Sequence, residues 1–219
     1  MNAAEAQAEV SAYWTRRAPA FDGVASHVAQ GPLWRTVFAA AFAARTPLDI
    51  VDLGTGTGAC ALIAASLGHR VRACDGSPGM LAVAREAAAA AGLAIAFEAA
   101  LIEEVPFAPG SADIVTLRNV LWTLPEPMSA LARARQLLRP SGSILVSDGL
   151  WSVAPELRST YPEALAASLP HHAGFTEAQM RAMLEATGFE QARSWQHLFP
   201  ASPYPGDVPA FVLTAKVAR

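Results

Sequence analysis

Three glycines at alternate positions, Gly54, Gly56 and Gly58, follow the apolar run Asp49-Ile50-Val51-Asp52-Leu53, and an acid, Asp75, ends the next apolar run, Val71 to Cys74. Glycine reaches backbone conformations closed to other residues and leaves room for a ligand against the main chain. A Gly-rich turn from strand to helix is where open α/β sheets bind nucleotides. A carboxylate at the end of the second strand can accept hydrogen bonds from both hydroxyls of a ribose. Nucleotide binding is therefore the chemistry these positions offer, with N-capping of the following turn as the plainer role for Asp75. The spacing is G-x-G-x-G followed by Ala59 and Cys60, which is not the G-x-G-x-x-G of dinucleotide-binding turns.

The elements that must hold these residues alternate. Strands are read at 49–53, 71–75, 94–98, 113–117 and 143–147, with helices at 59–67, 78–91 and 126–138 between them. Ser77-Pro78 supplies an N-cap and a proline at the first helical position, and Ser141-Gly142 turns into the fifth strand. Alternation of this kind predicts a parallel, doubly wound sheet. Two helices, 3–17 and 32–44, precede it. Thr176 caps a helix over 177–187, and residues 189–198 and 209–217 read as a final strand pair separated by Pro200, Pro203, Pro205 and Gly206. Between them, 149–174 carries Trp151 and the pair His171-His172 and is read as an insertion over the strand ends. One domain of 1–219 results: helical cover 1–46, nucleotide core 47–148, lid 149–174 and C-terminal helix and strand pair 175–219.

Composition narrows the partners. The 219 residues are 53% hydrophobic and 16% charged, with net charge −3, which fits a globular chain with a substantial core. No basic block would neutralise a run of phosphates, so nucleic acid is not an expected partner. Cys60 and Cys74 lack any metal or redox spacing and read as core residues, with no metal expected. No signal peptide and no membrane-spanning run is evident, and a soluble cytoplasmic protein is the expectation. Oligomeric state leaves no mark in the sequence.

Asp52, Gly54, Gly56 and Gly58 match (D/E)-x-G-x-G-x-G, and the turn resembles motif I of the class I S-adenosylmethionine (SAM) dependent methyltransferases. Further matches follow in order. Glu103-Glu104-Val105-Pro106-Phe107 resembles the segment after the third strand in the ubiquinone-biosynthesis-like (type 11) group. Asp113-Ile114-Val115 resembles motif II, and Leu137 to Val146 resembles motif III with Ser141-Gly142 in place of Gly-Gly. Tyr13 to Asp22 resembles the group's N-terminal W-x-x-R-A-x-x-(Y/F)-D segment. The resemblance implies a seven-stranded Rossmann-like fold and methyl transfer from SAM to a small, hydrophobic or aromatic molecule at oxygen, nitrogen or sulfur.

It also implies roles. The turn Gly54-Thr55-Gly56 with Gly58 approaches the methionine end of SAM, Asp52 orients the turn, and Asp75-Gly76-Ser77 takes the ribose. Met80 packs on adenine or in the core, and Leu101-Ile102 holds adenine by apolar contact and a backbone group where relatives often place an acid. Tyr13, Trp14 and Phe21 form an aromatic cover or core packing. Arg17 pairs with the SAM carboxylate or is solvated, and Arg118 and Asn119 end the fourth strand where ligands bind. Trp122 and Trp151 wall the acceptor pocket or belong to the core. A base is needed only if the acceptor must lose a proton; the candidates are His171, His172 and His27. Two other readings stand beside this one. The first is a SAM-binding regulatory protein without activity. The second is a nicotinamide-dependent oxidoreductase, disfavoured by the glycine spacing and by Lys216 being the only lysine.

Overall fold

In the computed structural model of the chain, residues 1–24, 31–42, 47–153, 161–204 and 208–218 are described, the side chains of 22–24 excepted. His27, the end of the second helix, Pro205 and Gly206 lie outside them. The first sheet strand, β1 (Asp49–Leu53), is flanked by β2 (Arg70–Asp75) and β4 (Ala112–Arg118), with β3 (Ile95–Ala99) outside β2 and β5 (Leu138–Gly149) outside β4. These five strands run parallel. An antiparallel pair, β7 (Ala210–Val217) against β5 and β6 (Phe189–Ser194) against β7, completes the seven-stranded order β3-β2-β1-β4-β5-β7-β6. The doubly wound fold is as the sequence predicts.

The two faces of a strand point to opposite sides of the sheet, and here both sides are covered. Val51, Leu53, Val115, Leu117, Ile144 and Val146 enter one core. Ile50, Ile114 and Leu145, alternating with them, enter the other beneath α2 (Gly31–Phe42) and α3 (Ala59–Ser66). Burial on both faces is what near-continuous apolar strands require. At the end of the sheet away from the glycine turn, Asp49 pairs with Arg70 and Arg139 at 2.7 and 2.9 Å, and Asp113 pairs with Arg139 at 2.8 Å. Asp113 also accepts the Asp49 N–H at 2.9 Å. It is a structural residue, and the Arg70 guanidinium beside Asp49 holds that carboxyl down at about 2.

Three expectations are corrected. Helix α1 (Ala3–Val24) continues past Arg17 and through Pro19. A proline inside a helix removes a backbone hydrogen bond; Ala18, only 2% exposed, and the Trp14–Phe21 ring contact at 5.6 Å tie down the turns on either side of it. The first strand of the final pair, β6, stops at Ser194, after a bulge where Gln191 takes φ 56. Residues 196–198 form a 3-10 turn, so His197 is not a strand residue. The described part of 149–174 is not a separate lid either. Gly149 still pairs with β7, and Trp151, Tyr161, Leu165 and Leu169 belong to the main core.

Candidate active site

The glycine turn sits at the carboxyl end of β1 and has backbone reasons for its sequence. Gly54, Gly56 and Gly58 take φ of 66, 57 and 92°, values that favour glycine. A Cβ on Gly54 would stand 2.4 Å from Val120 Cγ2, whereas at Gly56 the space is open. Beneath the turn, buried Asp52 accepts hydrogen bonds from the hydroxyls of Thr55, at 2.6 Å, and Thr116. Asp52 thus ties the turn, through Thr55, to β4, through Thr116, and a backbone N–H at Ala61, in the first turn of α3, also lowers its carboxyl. Burial pushes the Asp52 carboxyl up, and the two hydroxyls work against that.

Asp75, at the end of β2, reaches across to the turn. Its Oδ2 accepts the Gly56 N–H and its Oδ1 the Ser77 N–H, both at 2.8 Å. The carboxylate therefore links the two loops and is held in one orientation. Burial pushes it up to about 6, against the lowering effect of those N–H donors. Ser77 caps α4 (Pro78–Ala90) by accepting the Met80 N–H, as the Ser-Pro signal predicts.

These residues line a cleft of about 890 Å³ measured out to its open mouth. Of the predicted site residues, Gly54, Thr55, Gly56, Asp75, Gly76, Ser77, Met80, Leu101, Ile102 and Arg118 stand on its wall together with Trp14 and Asn119. Gln7, Val10, Ser11, Thr123 and Leu124 also line it, and no motif in the sequence points to them. Gln7 and Ser11 are single polar residues of α1 that precede its recognisable segment, Tyr13 to Asp22.

Other predicted residues stand behind the wall. Gly58 caps α3 in the left-handed region. Tyr13 is 8% exposed, with its ring edge-on to Trp14 and the Arg17 guanidinium 5.5 Å from its centre. Trp122 and Trp151, each 3% exposed, belong to the core. From Trp14, rings pass inward: Trp14 to Trp122 at 6.4 Å and to Tyr161 at 6.3 Å, then Trp122 to Trp151 at 5.9 Å and His172 at 6.0 Å. His171 stacks on Phe175 at 4.4 Å, and burial lowers its pKa. Neither His171 nor His172 is on the cleft wall, and His27 lies outside the described residues.

At the carboxyl ends of β4 and β5 the polar groups are fixed by these rings. Asn119, at φ 55, accepts the Trp122 indole N–H on its Oδ1 at 2.9 Å. Arg118 lies over the Trp34 ring at 4.2 Å. Asp148, fully buried, accepts the Gly149 N–H and the Trp151 indole N–H on Oδ1 at 2.9 and 3.0 Å. Its Oδ2 has no hydrogen bond among the described residues, and burial pushes the carboxyl up to about 7. Asp148 escapes a reading of the sequence because a lone Asp at a strand end carries no motif.

Comparison with known proteins agrees with this geometry. Residues 51–146 match the type 11 family model described as a methyltransferase domain. A demethylmenaquinone methyltransferase of Paenarthrobacter aurescens is 30% identical over 74% of this chain, a stretch that spans 63% of that protein's own length. Among solved structures, the Burkholderia thailandensis 1,6-didemethyltoxoflavin-N1-methyltransferase, determined with 1,6-didemethyltoxoflavin and S-adenosylhomocysteine, aligns with TM-score 0.72 at 19% identity. That alignment covers 100% of this chain and 92% of the other. The [4+2]-cyclase SpnF aligns with TM-score 0.63 at 18% identity, covering 84% of this chain and 79% of its own. At such identities the structural neighbours speak for the fold alone. With the family match lying over the strand-turn-helix that builds the cleft, the chain belongs to the type 11 group of class I SAM-dependent methyltransferases.

Proposed function

We propose that the protein transfers the methyl group of SAM to a small aromatic molecule of quinone or quinol type. The observation that carries this is Asp75: a carboxylate on the cleft wall, oriented by two backbone N–H groups, beside a glycine turn with open space over Gly56. The residues present fit SAM. Asp75 keeps lone pairs for a ribose diol, and hydrogen bonds to a charged group are worth about 1.5–3 kcal/mol. The space over Gly56 receives the amino-acid end, and Met80, Leu101 and Ile102 offer carbon surface to a base. Trp14 and Phe21, on the cleft wall, give an aromatic acceptor a matching surface, and aromatic faces attract cations such as a sulfonium. The demethylmenaquinone methyltransferase relative is the ground for choosing a quinone-type ring.

SAM, when bound, supplies an already activated methyl: the acceptor's electron pair forms the new bond to that carbon as its bond to sulfur breaks and leaves its electrons on sulfur. The chain has then to position the partners and exclude water. Among the described residues, Asp75 and Arg118 are the ionisable side chains on the cleft wall. Asp75 is committed to the ribose and Arg118 carries a fixed positive charge, so positioning without a dedicated base is the reading the wall favours. His172, two rings behind Trp14, and Asp148 are positioning residues for the aromatic side.

The test is calorimetric titration with SAM, S-adenosylhomocysteine and NAD, followed by mass spectrometry of quinols incubated with the protein and SAM. Binding of S-adenosylhomocysteine without NAD binding, and a product one methyl heavier, is the expected result. NAD binding in preference would overturn the reading. A second reading is kept by the likeness to a [4+2]-cyclase, which has this fold. SAM binding with no methylated product from any quinol would favour a protein that uses the cofactor without transferring its methyl.

A further inference from the structure

The base end of the cleft is carbon where an acid would give adenine a partner. Leu101, Ile102 and Met80 line it. An adenine laid among them keeps its faces in contact, but none of these three side chains can pair with its amino group, and a buried group left unpaired costs about 1–3 kcal/mol.

Helix α1 crosses this end in close contact. A Cβ on Gly79 would stand 2.8 Å from the Thr15 carbonyl oxygen, and one on Gly76 would stand 2.9 Å from both Ser11 Oγ and Leu101 Cδ2. The Thr15 and Ser77 hydroxyls are 2.9 Å apart. Residues four apart share a helix face, so Thr15, Ser11 and Gln7 form one row. The row starts beside Ser77, passes Gly76 and Leu101 at Ser11, and reaches Gln7 one turn further along the same cleft. Gln7 lines the cleft, is half-buried, and its amide has no hydrogen bond among the described residues. The other amide on the wall, Asn119, is at the end of β4 with its oxygen taken by Trp122.

We propose that Gln7 reads the nucleoside base of the cofactor, taking the place of the acid that Leu101 displaces. Its carbonyl accepts from the adenine amino group while its NH₂ donates to a ring nitrogen, the pairing an amide makes with adenine edges. The proposal rests on SAM occupying the cleft. It has a consequence that an acid would not: an amide can turn over and donate to an oxygen. Hypoxanthine, which carries an oxygen where adenine carries its amino group, is then nearly as good a base. A carboxylate has no proton to offer that oxygen.

The experiment titrates S-adenosylhomocysteine and S-inosylhomocysteine into wild type, Gln7→Ala, Gln7→Glu and Asp75→Ala, with circular dichroism as the fold control. Wild type should bind the two ligands within about tenfold of each other, and Gln7→Ala should weaken both by about three- to tenfold, one neutral hydrogen bond's worth. Gln7→Glu should keep the adenosine ligand and lose the inosine ligand by about tenfold or more relative to it. If both Gln7 variants leave both affinities unchanged while Asp75→Ala still weakens them, Gln7 does not read the base and the cofactor placement stands. If wild type binds neither ligand, the placement fails and the proposal with it.

Discussion

On one side of the cleft the wall comes from a single stretch of chain, Gly54 to Ser77, and presents backbone, hydroxyls and one carboxylate. On the other side Trp14 of α1 stands on the wall, and rings from separate segments pack behind it: Trp122 after β4, Trp151 after β5, and Tyr161 and His172 beyond. The first wall is specified by backbone torsion. Its glycines take positive φ and its carboxylate is aimed by two N–H groups, so a ligand meets groups that cannot move. The second is specified by packing, ring against ring, with two polar groups, Asn119 and Asp148, each tied to an indole N–H. A motif is the trace of the first kind of wall, and the second leaves none. One wall suits a ligand that is always the same. The other can change ring by ring with the acceptor.

The strongest break in the comparison is Gly56→Val. Nothing in the protein lies within 4 Å of a Cβ there, so the fold should bear only the torsional cost of φ 57, about 1–2 kcal/mol or somewhat more for a branched residue. The added methyls fill the space above the turn. Affinity for S-adenosylhomocysteine should fall at least about a hundredfold, or some 3 kcal/mol, while circular dichroism stays native. Tight binding by a folded Gly56→Val protein would show that the backbone wall is not the ligand's.

Next comes Asp75. Asp75→Ala should cost about ten- to a hundredfold in affinity, about 1.5–3 kcal/mol. Its pH dependence gives a second reading. The carboxyl stands at about 6 in the folded protein against an ordinary 3.8, and it is the ionised form that accepts from a ribose diol. Affinity should therefore fall as pH drops through 6 and be steady above about 7. The stability of the ligand-free protein has the opposite sign: this group's burial costs nothing below 3.8 and its penalty grows as pH rises toward 6. Asp75→Asn should flatten the acid limb of binding. An unchanged limb in that variant would place the titrating group elsewhere.

How far the two walls were legible follows from the same contrast. β1 is found at the residues read from sequence, Asp49 to Leu53, because a buried parallel strand is a plain apolar run. Ser77 was legible as a cap because its hydroxyl acts on the Met80 N–H three residues away. Asp75 was legible because a strand-end acid has two common uses, ribose binding and capping of the following turn, and its bond to the Ser77 N–H is the second; its bond to Gly56 was not foreseen. The aromatic wall was not legible. Whether Trp122 faces ligand or core depends on Trp14, Trp151 and Tyr161, which are distant in sequence. Asp148 matters through an indole three residues on and a burial that only the packed sheet supplies.

That carboxyl gives the third prediction, a smaller one, on stability. Asp148 stands at about 7 in the folded protein, raised by burial from 3.8. Its charge therefore costs nothing below 3.8, and the penalty is fully developed only above 7. A carboxyl pKa raised by one is worth about 1.4 kcal/mol, so at about pH 8 this group opposes folding by a few kcal/mol. Asp148→Asn keeps an acceptor for the Gly149 and Trp151 N–H groups and removes the charge. Its melting temperature should exceed wild type at about pH 8, and the difference should shrink as pH falls and close below about pH 4. A variant less stable than wild type at the higher pH would mean that the negative charge is wanted where it is, as a group facing the acceptor.

The smallest effect is expected at His171, and it sharpens the comparison most directly, because adjacent histidines are the one feature of the aromatic side that sequence offered as chemistry. The ring lies on Phe175 at 4.4 Å, off the cleft wall, and burial lowers its pKa below 6.5. A group neutral in the fold and charged when unfolded destabilises only as pH falls below 6.5. His171→Ala should cost about 0.5–1.5 kcal/mol of stability, the worth of one ring pair, and that cost should shrink toward about pH 5. Turnover at saturating SAM and acceptor should stay within about twofold of wild type at about pH 7.5. Any acid limb in kcat/KM near 6 should persist in this variant and vanish in Asp75→Asn, since Asp75 titrates in the same range. A loss of kcat of about tenfold in a folded His171→Ala protein, with affinity for S-adenosylhomocysteine unchanged, would put proton transfer back on the aromatic wall and end the reading of catalysis by position.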